Sequence, residues 1–287
     1  MYPAQFEYVR PTSLDEAIKL LSESGGEAKI IAGGHSLLPM MKLRLAQPAT
    51  LIDIGRIPGL NEIRVDASGV TIGELVTHAQ IAASPEIKRA LPALAEAASV
   101  VGDLQVRNKG TLGGSLAHAD PAGDLPAVFL SLDGEIVARG PGGEKTYKGS
   151  EFFVDILTTQ LGEDEIVTQI RFPALQGKTG TSYQKFDHPA SHYALTGVAA
   201  TVTLGANNTI ERVRVGVTGV GAKAYRAEGV EQALQGNGAD QIATAAEKAA
   251  DGIDCNDDIH ASAEYRAHLA RVFTRRALEA AVRNAGA

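Results

Sequence analysis

Lys29-Ile30-Ile31-Ala32-Gly33-Gly34-His35-Ser36 runs from a short apolar strand directly into paired glycines and a hydroxyl. Glycines at a strand end let the backbone turn sharply and bring several N–H groups toward one point, where an anion can accept them. The serine hydroxyl adds one more donor. The same ingredients recur at Gly110-Thr111-Leu112-Gly113-Gly114-Ser115, followed by Leu116-Ala117-His118-Ala119-Asp120-Pro121-Ala122-Gly123-Asp124. This second stretch reads as a glycine-rich loop leading to a helix near 125–132, whose N-terminus favours negative charge. Either segment alone is as a rule a tight turn. Together they suit the two phosphates and the sugar of a dinucleotide. The residues by themselves carry the reading as far as a phosphate-bearing ligand.

Around these turns the chain of 287 residues divides into three units, on a prior of roughly 100–200 residues per domain. The expected boundaries are 1–58, 59–176 and 177–287. In the first, Ser13 and Glu16 have the spacing of a helix N-cap and its capping-box acid, with Ala17, Ile18, Leu20 and Leu21 giving an apolar face through about Ser24. A strand over 50–54 follows a basic stretch at Lys42-Leu43-Arg44. The second unit opens on a hairpin, 62–65 with 70–73, and continues with helices near 77–83 and 92–101. Strands near 135–138 and 165–172 close it. The third begins with strands at 181–186, 197–204 and 210–217 and turns helical from Ala222 onward.

Composition narrows the function. The formal net charge is −7, so attraction to a phosphate backbone is not expected and nucleic acid is an improbable partner. No apolar run approaches the roughly 18 residues of a membrane helix, and the N-terminus carries no export signature. A soluble cytoplasmic location is expected, with peripheral seating at the inner membrane left open. The single cysteine, Cys255, cannot supply the roughly four ligands of an iron–sulfur cluster or a Cys-rich zinc site. Metal-centred redox chemistry therefore belongs on another chain.

Three competing readings are weaker. Gly219-Val220-Gly221-Ala222-Lys223-Ala224 fits a dinucleotide fingerprint in letters, but no later strand carries the acid such a unit needs. His118, Asp120 and Asp124 could ligate a metal; Asp120-Pro121 reads more simply as a helix cap with proline at the first position, and no metal is expected. The run Phe186-Asp187-His188-Pro189-Ala190-Ser191-His192-Tyr193 is a solvated loop or an aromatic cover for a planar ring. No hydrolase motif is present, and no catalytic acid or base is nominated.

The two glycine segments closely resemble the FAD-binding motifs of the medium subunit of molybdenum hydroxylases, the family containing xanthine dehydrogenase. The resemblance covers essentially the whole chain and is strongest to the flavoprotein subunits of aerobic carbon monoxide dehydrogenases. It implies an α+β fold: a two-part FAD domain of the vanillyl-alcohol-oxidase (PCMH) type, then a C-terminal domain with a three-stranded antiparallel sheet and a helical bundle. It also implies that Ala32, Gly33, Gly34, His35 and Ser36, entered from Lys29, and Thr111, Leu112, Gly113, Gly114 and Ser115 flank the FAD pyrophosphate. Asp124 would lie near the adenosine, Val167 alongside the adenine, and Lys185 and Tyr193 near the flavin ring. Many relatives have asparagine at the position of Ser115, and other hydrogen-bonding pairs at His35-Ser36. The implied role is electron transfer: substrate oxidised at a molybdopterin-type cofactor on a large subunit, electrons passed through [2Fe–2S] clusters on a small iron–sulfur subunit to FAD here, in a dimer of heterotrimers. The rival readings are a stand-alone FAD oxidase or reductase and a non-redox nucleotide-binding module.

Overall fold

The structure, a computed structural model, describes residues 1–286. β1 (Glu7–Val9) leads to α1 (Leu14–Glu23), where Ser13 caps by accepting the Glu16 N–H. The Glu16 carboxylate accepts from the Thr12 N–H at 2.8 Å, one residue before the cap, so the expected box anchors the entering chain instead. Ala17, Ile18 and Leu21 bury one helical face. β2 (Ala28–Ile31), α2 (Leu37–Lys42) and β3 (Thr50–Asp53) complete a parallel sheet of order β1-β3-β2. The residues leading into the basic stretch at Lys42 thus form a short helix absent from the expected elements. Pro39 hides it from sequence inspection, yet proline is tolerated in a first turn where its missing N–H has no partner anyway.

The second unit begins with the hairpin β4 (Ile63–Asp66) and β5 (Gly69–Gly73). Short helices follow: α3 (His78–Ala83), α4 (Pro85–Ala90), α5 (Pro92–Ser99) and α6 (Leu104–Arg107). Then come α7 (Leu112–His118) and α8 (Asp124–Ser131). β6 (Glu135–Gly140), β7 (Gly143–Lys148), α9 (Gly149–Phe152), β8 (Phe153–Asp155), β9 (Thr158–Thr159) and β10 (Ile166–Pro173) close the unit. Its main sheet is antiparallel, in the order β4-β5-β10-β6-β7. α8 is buried along its whole length, and Phe129 meets Phe152, Phe153 and Phe172 edge to face. Such pairs add about 0.5–1.5 kcal/mol each beyond the area they bury.

The third unit has three long antiparallel strands, β11 (Lys178–Asp187), β12 (Ala194–Leu204) and β13 (Ile210–Thr218), as expected. A two-residue fourth, β14 (Tyr225–Arg226), extends the sheet. α10 (Glu228–Leu234), α11 (Ile242–Ala246) and α12 (Ala263–Ala285) follow, and Asn284 of α12 donates to the Thr181 carbonyl of β11 at 2.8 Å. β12 is apolar and buried through most of its length because β11 and β13 cover its edges while α12 and α8 cover its faces. The α+β class, with a divided first region and a C-terminal sheet under helices, is the architecture observed.

An ionic cluster joins the second and third units. Asp133, in the turn after α8, accepts from Arg212, from Arg214 at 3.3 Å and from Arg226 at 3.0 Å. Glu231 holds the other side of Arg226 and also accepts the Val215 N–H at 2.8 Å. Deleting the Asp133 carboxylate strands a mostly buried Arg226 against one remaining acid. Asp133→Ala should lower stability by about 1–3 kcal/mol, whereas Arg212→Ala, at the exposed end, should cost less than about 1 kcal/mol. Urea unfolding of the two variants checks the order.

Candidate cofactor site

β2 delivers the first glycine turn. Ile31 and Leu38 close on Gly34, whose φ of +74° is left-handed backbone that only glycine adopts without strain. Gly33 matters for a different reason. A Cβ there would overlap the Lys109 carbonyl, with the Cα of Gly110 only 2.8 Å away. The backbone of the first turn therefore lies directly on the residues that open the second. His35 Nδ1 sits 3.0 Å from the Gly33 carbonyl, which tightens the turn. Among the described residues, the N–H groups of Gly33, Gly34, His35 and Ser36 have no acceptor. This is a cluster of open donors at one bend.

The second segment is not the loop expected from its glycines. Leu112 through His118 is helical, with Thr111 as N-cap accepting the Gly114 N–H at 3.1 Å. Glycine in a helix costs up to about 1 kcal/mol against alanine. Here the loss is offset by approach: a Cβ on Gly113 would coincide with a carboxylate oxygen of Glu74. The helix start is stitched to residues 76–78, since Leu112 N–H donates to Val76 and His78 N–H to Gly110, both at 3.0 Å. The Gly113 N–H has no acceptor among the described residues. Leu112, Gly113 and Leu116 are buried, while Gly114 and Ser115 stay half-open.

The remaining predicted residues fall in two places. Lys29 is exposed and, by strand alternation, shares the face of Ile31, which packs on Gly34. Tyr193 is 48% exposed, and burial of its hydroxyl with Asp120 and Asp124 nearby raises its pKa. Val167 is different: its side chain is buried in the core, and only its main chain could meet a ligand. Its neighbour Thr168 accepts the Glu74 N–H at 3.1 Å, so this strand supports the second turn from behind.

Asp124 and Lys185 are committed to one another. Lys185 Nζ lies 2.9 Å from Asp124 Oδ1, both side chains are almost fully buried, and Tyr183 donates to the same carboxylate at 2.6 Å. Burial outweighs these partners and lifts the Asp124 carboxyl to about 6. Lys185 also donates to the carbonyls of Val100 at 3.0 Å and His192 at 2.6 Å, tying down the 188–193 loop. The helix over Asp120-Pro121 begins later than its sequence suggests. Asp120 accepts from the Ala122 N–H at 2.9 Å in a local turn, and α8 starts at Asp124 after Gly123. The 121–123 link is pinned to the C-terminal sheet by Gly219 N–H to Pro121 at 2.7 Å and by Thr218 Oγ1.

Two residues at this site escaped the sequence reading, Glu74 and His78. Nothing in Gly73-Glu74-Leu75-Val76-Thr77-His78 marks them, because their importance lies in what they touch. His78 is buried beside Gly110, and burial drives its pKa down to about 4. A cavity of about 380 Å³ lies elsewhere, between Ser150 and Phe153 on one side and Lys223, Arg226 and Glu231 on the other. It lies apart from both glycine turns.

Paired glycine turns with free amides, held on a divided α/β scaffold, are the arrangement suited to a phosphate-bearing ligand. Residues 4–175 match the FAD binding domain in molybdopterin dehydrogenase, and residues 181–281 the CO dehydrogenase flavoprotein C-terminal domain. The carbon monoxide dehydrogenase medium chain of Hydrogenophaga pseudoflava is 40% identical, covering 98% of each chain. The 6-hydroxypseudooxynicotine dehydrogenase complex subunit alpha of Paenarthrobacter nicotinovorans is 38% identical over 99% of this chain and 97% of that one. The solved structure of the Hydrogenophaga pseudoflava carbon monoxide dehydrogenase that lacks the Mo-pyranopterin moiety of the molybdenum cofactor superposes with a TM-score of 0.95, at 40% identity and 99% of both chains. The chain belongs to the FAD-binding flavoprotein subunits of the molybdenum hydroxylases, and it is an oxidoreductase component that works with partner subunits.

Two substitutions test the geometry. Gly33→Ala forces the turns apart, so the purified protein should carry less than about a tenth of the parental flavin, read as the ratio of flavin to protein absorbance. Asp124→Asn leaves the Lys185 ammonium buried without its counter-charge. It should cost about 3 kcal/mol in urea unfolding, with proteolysis rising in the 188–193 loop.

Proposed function

We propose that this chain is the electron exit of a carbon monoxide-oxidising molybdenum hydroxylase. The carrying observation is the contact of Gly33 with the start of the second glycine segment, which brings the unpartnered amides of residues 33–36 near the second segment with its open Gly113 amide. On this reading Ala32, Gly33, Gly34, His35, Ser36, Thr111, Leu112, Gly113, Gly114 and Ser115 hold the diphosphate of FAD. Lys29 and Tyr193 stand at the rim. Asp124 and Lys185 act as a strut that sets the 188–193 loop over the ring, and Val167 contributes main chain only. When bound, FAD supplies a carrier able to take electrons singly and release them singly or in pairs.

The protein's own contribution is position and electrostatics. Open amides bind the anion, the glycine contacts exclude side chains from its path, and the strut fixes the covering loop. Substrate oxidation belongs to a molybdenum-carrying large subunit, with an iron–sulfur small subunit between, in a dimer of heterotrimers. Of the three units, 1–58 and 59–176 share the diphosphate grip, and 177–287 supplies the cover. Cytoplasmic location, with peripheral attachment to the inner membrane, fits an exit to a membrane-held acceptor such as a quinone.

The chain alone, loaded with FAD, should not be reduced by carbon monoxide under anaerobic conditions. Coexpressed with its iron–sulfur and molybdenum partners it should lose its flavin band near 450 nm, a generic flavin property, within seconds of adding the gas. Reduction of the isolated chain would make it a self-sufficient oxidoreductase. A complex bleached only by another substrate would overturn the carbon monoxide assignment and leave the flavoprotein role standing.

A further inference from the structure

Glu74 packs against the second glycine turn without a bonding partner of its own. It is 4% exposed, and its Oε2 has no hydrogen-bond partner. That oxygen occupies the space where a side chain of residue 113 would be, at the first turn of α7, with Glu74 Cα 3.1 Å from the same point. The open Gly113 N–H and the capped Gly114 N–H lie on the same turn. The carboxylate is therefore packed against the first turn of α7 without accepting from either amide, close enough for its charge to be felt there. We propose, building on the FAD reading above, that Glu74 is a proton-linked latch on the diphosphate site. Protonated, it leaves the helix start open to the anion; ionised, it repels the diphosphate.

The surroundings give it no counter-charge. The titratable and charged groups on neighbouring elements are His78, His35, Arg107, Lys109, His118, Asp124 and Arg171. Arg107 donates to the Val101 and Gly102 carbonyls, His118 faces Asp120 at 3.9 Å, Asp124 is held by Lys185 and Arg171 faces Glu144 at 3.7 Å. None of the seven hydrogen-bonds or ion-pairs with Glu74 among the described residues. Burial by itself raises the Glu74 pKa well above the ordinary carboxylate range. A bound diphosphate disfavours the ionised form further, so binding takes up a proton wherever the free protein has lost it.

The test is FAD binding to the deflavinated full chain from about pH 6 to 9, by flavin fluorescence and by calorimetry in buffers of differing ionisation enthalpy. In the parent, Kd should rise with pH, by up to about tenfold per unit once Glu74 ionises, with up to about one proton taken up per FAD. Glu74→Gln keeps shape and removes the charge. Its Kd should stay at the parent's low-pH value throughout, with that uptake gone. Parallel profiles for the two proteins would overturn the latch while leaving the FAD reading intact. Should the variant not fold, the parent still decides, because absence of proton uptake across the range also overturns it. A chain that binds no FAD at any pH, in either form, would overturn both readings.

Discussion

Two stretches of backbone can meet within van der Waals distance only where neither carries a side chain between them. The Gly33 contact with Lys109 and Gly110 is such a meeting, and the site is built around it. It ties the small parallel sheet of the first unit to the helical layer of the second. Each turn has open amides, but a single bend gives an anion little more than any loop would. Held together, the two bends bring their open donors into one neighbourhood, which a single bend does not. A methyl group in this contact would act on geometry first and on affinity as a result.

The second and third units contribute rigidity. Val76 and His78 bond to Leu112 and Gly110, so the helix start is braced by the segment that also carries Glu74. Farther out, the Asp124–Lys185 pair and the Asp133 cluster fasten α8 to the C-terminal sheet at two points. These have different physics. The first is buried, and its value lies in specifying where the 188–193 loop rests, because a buried pair gains little net stability over an apolar substitute. The second is half-exposed and multivalent, an alignment device beside a core in which Tyr183, Ala199 and Ala224 of the third unit already pack into the second.

Much of this was readable in the residues. Alternating and continuous apolar runs marked most of the long strands, and Ser13, Ser24 and Gly25 bracketed the first helix. Both glycine segments stood out by composition. What stayed hidden was set by tertiary contact. The helicity of 112–118 runs against glycine's propensity and becomes comprehensible only with Thr111 as cap and Glu74 as packing partner. Asp124 and Lys185 were each picked out, yet sequence gave no reason to pair them across 61 residues. Glu74 offered no local pattern, since an acid just after a strand is ordinarily solvated.

The distribution of chemistry along the chain follows from these constraints. One cysteine excludes a cysteine-ligated cluster on this polypeptide, and no side chain at the turns is set up as nucleophile or general base. What the chain has instead is a concentration of dipoles and precisely packed small residues, the equipment for holding a reactive group and tuning its surroundings. Such a protein has influence only through the cofactor's position, the access of water, and the charge placed near it. Near the helix start, a buried acid without a counter-ion is the strongest of those levers, because a single proton there alters the charge met by an incoming diphosphate. Affinity for the cofactor and the protonation of Glu74 are therefore two readings of one equilibrium, each able to shift the other by the same free energy.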